Sequence, residues 1–384
     1  MSGSIACFKV CEAISKLRHK YSIKVIMTNS ATKFIGNSTI EGLTGNPAYT
    51  NTFQDGNALD HISLIREADL VMIAPATANF IAKIANGIGD DLASTTLLAH
   101  DFKKKVIIAP AMNTYMWNNP ATIDNVNKLK SRQFIFLEPI EGLLACGENG
   151  TGKIVNPQDI VDYINHQLRE LNHKNILITS GGTQEQIDDV RVLTNKSSGR
   201  TGAIIADHLY EQGYNIYYLG SKNGIKPNNK FIKKIDFLSF VELKQKIQDL
   251  ISTQNFYSII HSAAVSDFSV IPSVGKLSSE VTPQLNFVKN EKIIDSIRTN
   301  SKNKNVVIFG FKLTSQLDTT NQKKAVAKLL NHAPDIDYVI ANDIKNISKN
   351  NHDFLIFDKL MNQIETGYSK IEMAEKISNI LSKK

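Results

Sequence analysis

The sequence is poor in cysteine, in long apolar runs and in clustered charge, and each shortage excludes a class of protein. Its three cysteines, Cys7, Cys11 and Cys146, form no CxxC pair and no zinc-ligand spacing, so neither a disulfide framework nor a structural zinc site fits. That usage suits a reducing compartment. No stretch approaches the roughly eighteen consecutive apolar residues of a membrane span. The N-terminus lacks the basic region and small-residue cleavage site of a signal peptide, so the expected compartment is the cytoplasm, with no membrane partner. A total of 44 basic against 37 acidic residues leaves a net charge of +7. The lysines are scattered, however, and no Arg/Lys stripe alternates with aromatics, so nucleic acid is not an expected partner. Mild basicity suits anionic small ligands. With 42% hydrophobic and 21% charged residues, the 384-residue chain is neither disordered, collagenous nor coiled coil. Its length fits two or three domains.

What is present is an alternation of short β-branched runs with helix-period segments. Residues 25–28, 70–74, 106–109 and 134–137 read as buried strands, and 6–20 and 78–99 as helices. Such alternation predicts a parallel sheet covered by helices on both faces. A closing helix and polar hinge follow over 160–175, after which strands are expected at 175–179, 216–219, 258–261, 306–309 and 338–341. The expectation is α/β: two tandem three-layer domains at 1–165 and 175–384, joined by a linker at 166–174. Met1-Ser2-Gly3-Ser4 has the form of a phosphate-binding turn opening a helix. Such a turn ordinarily hangs from the carboxyl end of a strand. Either the chain start is misplaced or the first sheet is a strand short, and a misplaced start is the expectation.

Several loops carry chemistry. GSIACFK at 3–9 can cradle a phosphate through Gly3 and Ser4, or be a frayed terminus capped by Ser4. Ser30 opens a second candidate anion turn, with a helix cap fitting equally well. APATAN at 74–79 follows a buried strand: Pro75 stiffens the exit, Thr77 can hydrogen-bond, and Asn79 supplies an amide. APAMNTYMW at 109–117 repeats that geometry, so Asn113 and Asn79 are expected to face one crevice walled by Met112, Met116 and Trp117, unless those apolar residues are core. His61, where a helix begins, reads as structural or catalytic. Cys146 lies in a glycine-rich loop expected far from any strand, as a flexible lid or an inert thiol.

Taken in order, G-S-I-A-x-x-K, D-H-I-x-L, P-A-T-A-N, P-A-M-N-x-x-M-W and L-A-C-G-E-x-G-x-G resemble the flavin-dependent cysteine decarboxylases. Over residues 1 to about 165 the chain is similar to the phosphopantothenoylcysteine decarboxylase family. The resemblance implies a flavodoxin-like, Rossmann-like flavoprotein domain whose first strand is missing. Implied too is an FMN-dependent oxidative decarboxylation, with the cofactor carrying the hard step. It further implies Gly3, Ser4, Ser30, Pro75 and Thr77 at the flavin, Asn79 and Met116 at the substrate, and His61 as the imidazole that helps deprotonate the thiol. Asn113 would hold the substrate carboxylate, and Cys146 would protonate the enethiol.

In the second half, Gly181-Gly182 follows a strand, where bare backbone admits a ligand, and Asn195 precedes Ser197-Ser198-Gly199 at a helix start. Serine hydroxyls with helix amides make a phosphate nest, or a capped helix. Neither GxGxxG nor GxxxxGK[ST] occurs. HSAAVSD at 261–267 follows another strand, with Ala264 small enough for a base or sugar and Asp267 able to bind ribose or metal, or to cap a turn. A long polar segment over 270–289, expected to carry little structure, contains Lys276, a candidate triphosphate contact or a plain surface lysine. Phe309 offers a base platform and Lys312 a cation. SGGTQEQIDDVRVLTNKSSG, AAVSDF, KLSS, GFKL and IANDI together resemble the phosphopantothenate–cysteine ligases over 173–384. GKLSS and GFKLTS are closer to the stand-alone ligases of some low-GC Gram-positive bacteria than to the common fused form.

That second resemblance implies a Rossmann-like ligase domain that activates 4′-phosphopantothenate with CTP and Mg2+ and joins it to L-cysteine through an acyl-cytidylate. Asn195 would hold the acyl-nucleotide, Ser198 and Gly199 a phosphate, Lys276 the triphosphate, and Ala264, Asp267 and Phe309 the nucleotide, assisted by Lys312; the metal ligands are not identified. The ligase makes what the decarboxylase consumes, so the halves agree on a bifunctional enzyme. Alternatives are a ligase with a degenerate decarboxylase half, or a non-catalytic flavin- or nucleotide-binding regulatory module. The resemblance also implies a homo-oligomer, with trimer contacts in the first domain and dimer contacts in the second composing a dodecamer.

Overall fold

A computed structural model describes residues 1–52, 59–277, 282, 284–315, 318–347 and 351–384. The chain divides into two compact units, Met1–Leu168 and Arg169–Lys384. The first contains α1 (Cys7–Leu17), α2 (Asn37–Thr44), α3 (Asp60–Glu67), β1 (Leu70–Ala76), α4 (Ala78–Asn86), α5 (Leu92–Leu98), β2 (Lys105–Pro110), α6 (Thr114–Trp117), α7 (Pro120–Ser131), β3 (Ile135–Phe136), β4 (Ile140–Leu143), β5 (Asn149–Lys153) and α8 (Pro157–Leu168). Strands β1, β2 and β3 lie side by side and parallel. Side chains of a strand alternate between faces, so Ala74 and Ala109 pack with Val10, Ile14 and Ile160, while Ile73 and Ile108 pack with Phe80, Ile81 and Leu129. Helices cover both faces, which is why these strands read as unbroken apolar runs.

Three expectations need correction here. Residues 25–28 form no ladder strand: Ile26 meets Tyr49 at an isolated parallel bridge, with Met27 N donating to Tyr49 O at 2.8 Å. The helix expected over 78–99 is two, because Gly87 turns left-handed (φ 70°) and Asp91 starts α5 in a reciprocal capping box with Ser94. The strand expected over 134–137 shortens to two residues.

The second unit contains β6 (Asn175–Ser180), β7 (Gln184–Gln186), β8 (Val192–Thr194), α9 (Arg200–Glu211), β9 (Asn215–Ser221), β10 (Lys233–Phe237), α10 (Phe240–Thr253), β11 (Ser258–His261), β12 (Phe268–Val270), β13 (Phe287–Lys289), α11 (Ile297–Asn300), β14 (Val307–Thr314), α12 (Thr319–His332), β15 (Tyr338–Asp343), β16 (Phe354–Asp358), β17 (Gln363–Gly367) and α13 (Lys370–Ser382). Its main sheet runs β10-β9-β6-β11-β14-β15-β16-β17, parallel through β15. Ile176, Ile178 and Phe309 pack against α9 and α13, whereas Leu177, Ile259 and Ile308 pack against α10 and α12. The sheet is not wholly parallel, since β16 and β17 add an antiparallel edge. The segment expected to carry little structure is pinned at its ends, where β12 and β13 pair antiparallel with Phe268 opposite Lys289. Of that segment, 278–281 and 283 lie outside the described residues, including Ser278-Ser279 of the KLSS run. No helix among the described residues is long and apolar enough to cross a membrane.

Parallel strands place all their carboxyl ends along one edge, and the ligand-binding loops of such sheets gather there. At one such end His261 is buried, with its Nδ1 2.9 Å from the Thr179 hydroxyl. Desolvation lowers its pKa from 6.5 to about 4. The unfolded chain therefore binds a proton between those values that the folded chain refuses. Stability is full above about pH 6.5 and declines toward pH 4 by about 3 kcal/mol. His261→Gln is expected to flatten that decline in urea unfolding of the second unit at pH 7 and pH 4.5; an unchanged pH dependence would contradict it.

Candidate active sites

In the first unit, Ser2 ties the N-terminal turn to the loop after β1. Its hydroxyl donates to the Pro75 carbonyl at 2.8 Å and accepts the Thr77 amide at 2.9 Å, while its own amide donates to Pro75 O at 3.1 Å. Gly3 follows, and a Cβ there would lie 2.4 Å from Ser30 Cβ. Only glycine admits that approach, so Gly3, Ser4, Ser30, Pro75 and Thr77 converge. Thr77 caps α4 by accepting Phe80 N at 3.3 Å, and the Ser4 hydroxyl accepts Ala6 N at 3.3 Å. Ser30 is exposed and does not cap the short turn after it; the Thr28 hydroxyl takes the Ala31 amide instead. Hydroxyls and amides around a close backbone crossing are the donor set that a phosphate ester requires, so these residues fit the phosphate of a flavin nucleotide.

A second group forms around Asn113, which caps α6 through Oδ1 to Tyr115 N at 2.8 Å. Its Nδ2 donates to Glu148 Oε2 at 2.8 Å and lies 3.5 Å from Cys146 Sγ, itself 3.6 Å from the same carboxylate oxygen. Cys146 is not far from any strand: it sits in the turn of the β4–β5 hairpin. The glycines seat that hairpin rather than loosen it. A Cβ at Gly152 would meet Met112 O at 2.3 Å, one at Gly150 would meet Thr114 Oγ1 at 2.3 Å, and Met112 N donates to Gly152 O at 3.0 Å. Sequence reasoning overlooked Glu148, although an acid two residues from the thiol was its signal.

Not every candidate joins these groups. The bond from Ala111 N to Ala76 O at 3.0 Å keeps the loops after β1 and β2 adjacent. Even so, no hydrogen bond among the described residues joins Asn79, exposed on α4, to Asn113. Met116 is exposed, whereas Met112 and Trp117 pack on the core. His61 lies in the first turn of α3 with Nδ1 buried and lacking a hydrogen-bond partner among the described residues.

In the second unit a pocket of about 360 Å³ opens beside the ends of β6 and β9, lined by Gly182, Asn195, Ser197, Ser198, Ser221 and Asn223. Gly181 adopts φ 87°, and its Cβ would lie 2.6 Å from Ser221 Cβ; a Cβ on Gly182 would lie 2.8 Å from Asn195 O. Asn195 Nδ2 donates to Ala264 O at 3.2 Å, joining the loops after β8 and β11. Gly199 turns left-handed (φ 76°) ahead of α9, its carbonyl accepting the Ser180 hydroxyl at 2.9 Å, and the Ser198 hydroxyl takes Arg200 N at 3.4 Å. Ser221 and Asn223 were overlooked, yet both follow β9 at the same sheet edge, which was the available signal.

Asp267 is exposed and ion-paired with Lys292. Lys276 is exposed, and the next residue is anchored: Asp188 Oδ2 accepts Leu277 N at 3.1 Å. Burial alone would raise the Asp188 pKa, but the amides of Val190, Leu277 and Arg191, with the Arg191 guanidinium, hold it below the usual carboxylate range. Phe309 corrects an expectation. It is fully buried within β14, stacked on Tyr338 at 4.9 Å, and belongs to the core rather than to a base platform. Lys312, farther along β14 opposite Ala341, is half-buried.

Residues 1–169 match the family model described as Flavoprotein, and 171–384 the one described as DNA/pantothenate metabolism flavoprotein C-terminal domain. A Bacillus subtilis protein named Coenzyme A biosynthesis bifunctional protein CoaBC is 33% identical over 359 residues, spanning 90% of this chain and 85% of its own length. Its namesake from Borreliella burgdorferi is 33% identical over 388 residues, spanning 99% and 97%. A crystal structure described as the DNA/pantothenate metabolism flavoprotein from Streptococcus pneumoniae matches 54% of this chain and 98% of that one, with 27% identity and a TM-score of 0.50.

The hairpin seat is testable by amide exchange. Gly152→Ala is expected to speed exchange of the Met112 amide by about tenfold or more, because the added methyl displaces its acceptor. Unchanged protection would show that the hairpin does not depend on that contact.

Proposed function

The chain belongs to the family of bifunctional coenzyme A biosynthesis proteins, enzymes with phosphopantothenate–cysteine ligase and phosphopantothenoylcysteine decarboxylase activities, and we propose that its two units divide those reactions between them. The first, Met1–Leu168, decarboxylates; the second, Arg169–Lys384, ligates. The observation that carries this division is the thiol of Cys146 held beside the Asn113 amide by a hairpin of the first unit, while the pocket of about 360 Å³ around Asn195 and Ser198 lies in the second.

In the first unit Gly3, Ser4, Ser30, Pro75 and Thr77 hold flavin mononucleotide. Bound there, that cofactor would supply reversible two-electron redox chemistry, the electron sink that loss of CO2 from the cysteinyl moiety requires. His61 is the imidazole that helps deprotonate the thiol. The Asn113 amide, now resting on Glu148, binds the substrate carboxylate, and Cys146 Sγ delivers the final proton that makes the aminothiol. Asn79 and Met116 border the substrate.

In the second unit the carboxylate of 4′-phosphopantothenate attacks the α-phosphorus of CTP and expels pyrophosphate. The amine of L-cysteine then displaces CMP from the acyl-cytidylate and leaves an amide. Asn195 holds the acyl-nucleotide; Gly181, Gly182, Ser198 and Gly199 receive the phosphate; Ala264 and Asp267 border the nucleotide. Lys276 and Lys312 neutralise the leaving pyrophosphate, and Mg2+ would add to that charge neutralisation. The reading places the enzyme in the cytoplasm as a homo-oligomer, a dodecamer if first units meet in threes and second units in twos.

Paired variants test the division. His61→Asn is expected to cut CO2 release by about 100-fold or more and leave pyrophosphate release unchanged, the scale of losing a general base. Asn195→Asp should do the reverse, slowing ligation while preformed 4′-phosphopantothenoylcysteine is still decarboxylated. Equal loss of both activities in either variant would contradict the assignment, and a wild-type chain that ligates without releasing CO2 would favour a degenerate first unit.

A further inference from the structure

A pocket that takes an anion must turn carbonyl oxygens away as well as present donors, because a peptide oxygen facing a phosphate repels it. In the pocket of the second unit no acidic side chain is found among the described lining residues, and Lys196 is the one charged side chain. The hydroxyls of Ser197 and of the buried Ser221 have no hydrogen-bond partner among the described residues. The turn ahead of α9 has meanwhile committed its oxygens elsewhere. Asn195 O accepts Ser197 N at 2.8 Å, Ser198 O accepts Ile225 N at 2.9 Å, and Gly199 O accepts the Ser180 hydroxyl at 2.9 Å and Ala203 N at 3.1 Å.

One buried side chain holds this arrangement from below. Tyr218 lies in β9 with its ring in the core against α9. Its hydroxyl donates to Ile225 O at 2.9 Å and lies 3.4 Å from Gly199 O. Ile225 is therefore fixed through both main-chain groups, its oxygen by Tyr218 and its amide by Ser198 O. The ring reaches the sheet edge across Gly220. Residues two apart on a strand share a face, and a Cβ on Gly220 would lie 2.4 Å from Tyr218 Cε1. Burial pushes the Tyr218 pKa up to about 12, so the hydroxyl is a donor across the neutral range. Core packing alone needs no oxygen there, since a phenylalanine ring would fill the same space.

We propose that Tyr218, with the Ser180 hydroxyl beside it, is a positioning residue for ligation: it fixes Ile225 and the Ser198-Gly199 turn so that their carbonyls stay off the pocket and donors face the polyphosphate of the nucleotide. The inference rests on the reading of the second unit as the ligase and deepens it by naming what shapes the phosphate site. Tyr218 itself touches no ligand. Its effect passes through two short bonds, from its hydroxyl to Ile225 O and from Ile225 N to Ser198 O. Without the hydroxyl, the loop after β9 and the turn ahead of α9 lose their common anchor, and a carbonyl dipole is free to swing toward the bound anion.

Tyr218→Phe keeps the ring and removes the oxygen. Calorimetry on the full chain, with Mg2+ present and inorganic pyrophosphate as the probe, is expected to show roughly tenfold weaker binding in the variant. In ligation assays the KM for CTP should rise by a similar factor. The KM for L-cysteine and the rate of CO2 release from preformed 4′-phosphopantothenoylcysteine should stay as in the wild type. Pyrophosphate binding equal to that of the wild type would overturn the proposal, as would a loss that moves all these constants together. A wild-type chain that ligates with CTP but binds no pyrophosphate would remove this inference and leave the ligase reading standing. One that neither ligates nor binds pyrophosphate would remove both. Should Tyr218→Phe fail to fold, Ser180→Ala, which takes a donor from Gly199 O, is expected to give the same split between CTP and L-cysteine, and wild-type constants there would overturn the proposal.

Discussion

The hydroxyl of Ser2, buried and bonded at once to the Pro75 carbonyl and the Thr77 amide, is the constraint on which the first site depends. It fixes the N-terminal turn against the end of β1, brings Gly3 against Ser30, and so creates the cluster of small residues and hydroxyls where an anion can lie. A buried hydroxyl that loses its partners costs about 1–3 kcal/mol, a large part of the marginal stability of a domain this size. The second unit uses the same physics with different residues. Gly181 and Gly182 admit Ser221 and the Asn195 carbonyl at distances that no side chain would allow, and the Asn195 amide ties the loops after β8 and β11 together. In both units a parallel sheet supplies the edge, and glycines with short polar bonds shape it.

Much of this architecture was legible in the sequence because buried parallel strands leave a local trace. ILITS at 176–180 and VIIAP at 106–110 are apolar on both faces, and no surface element needs that. The antiparallel edge of β16 and β17 left a weaker trace, since FLIFD and QIETG are short and the turn between them carries no glycine. Residues 25–28 have the composition of a strand but pair with Tyr49 at a single bridge. Composition reports burial, whereas a ladder also needs a neighbour.

The site residues divide in the same way. Backbone crossings were readable, because Gly3, Gly181 and Gly182 stand where a Cβ would collide. Pairings across the fold were not: nothing local in the chain announces that Glu148 rests on Asn113, or that Asp188 anchors the residue after Lys276. Phe309 shows the opposite failure, an aromatic beside a glycine that suggested a platform but fills the core between β14 and α9. The glycines around Cys146 suggested mobility, yet they let a hairpin seat closely on Met112 and Thr114. The same residue type serves looseness or close contact, and only the neighbours decide which.

The two reactions run in sequence, since the amide made from cysteine in one is the substrate decarboxylated in the other. The nucleotides and the phosphopantothenoyl compounds are anions, which suits a chain of net charge +7. The most direct test of this account incubates the flavin-loaded chain with 4′-phosphopantothenate, CTP, Mg2+ and L-cysteine radiolabelled in its carboxyl group, measuring pyrophosphate and labelled CO2 together. The account predicts one labelled CO2 for each pyrophosphate, with CO2 lagging and absent when CTP is withheld. Pyrophosphate accumulating without labelled CO2, or CO2 released without CTP, would contradict it.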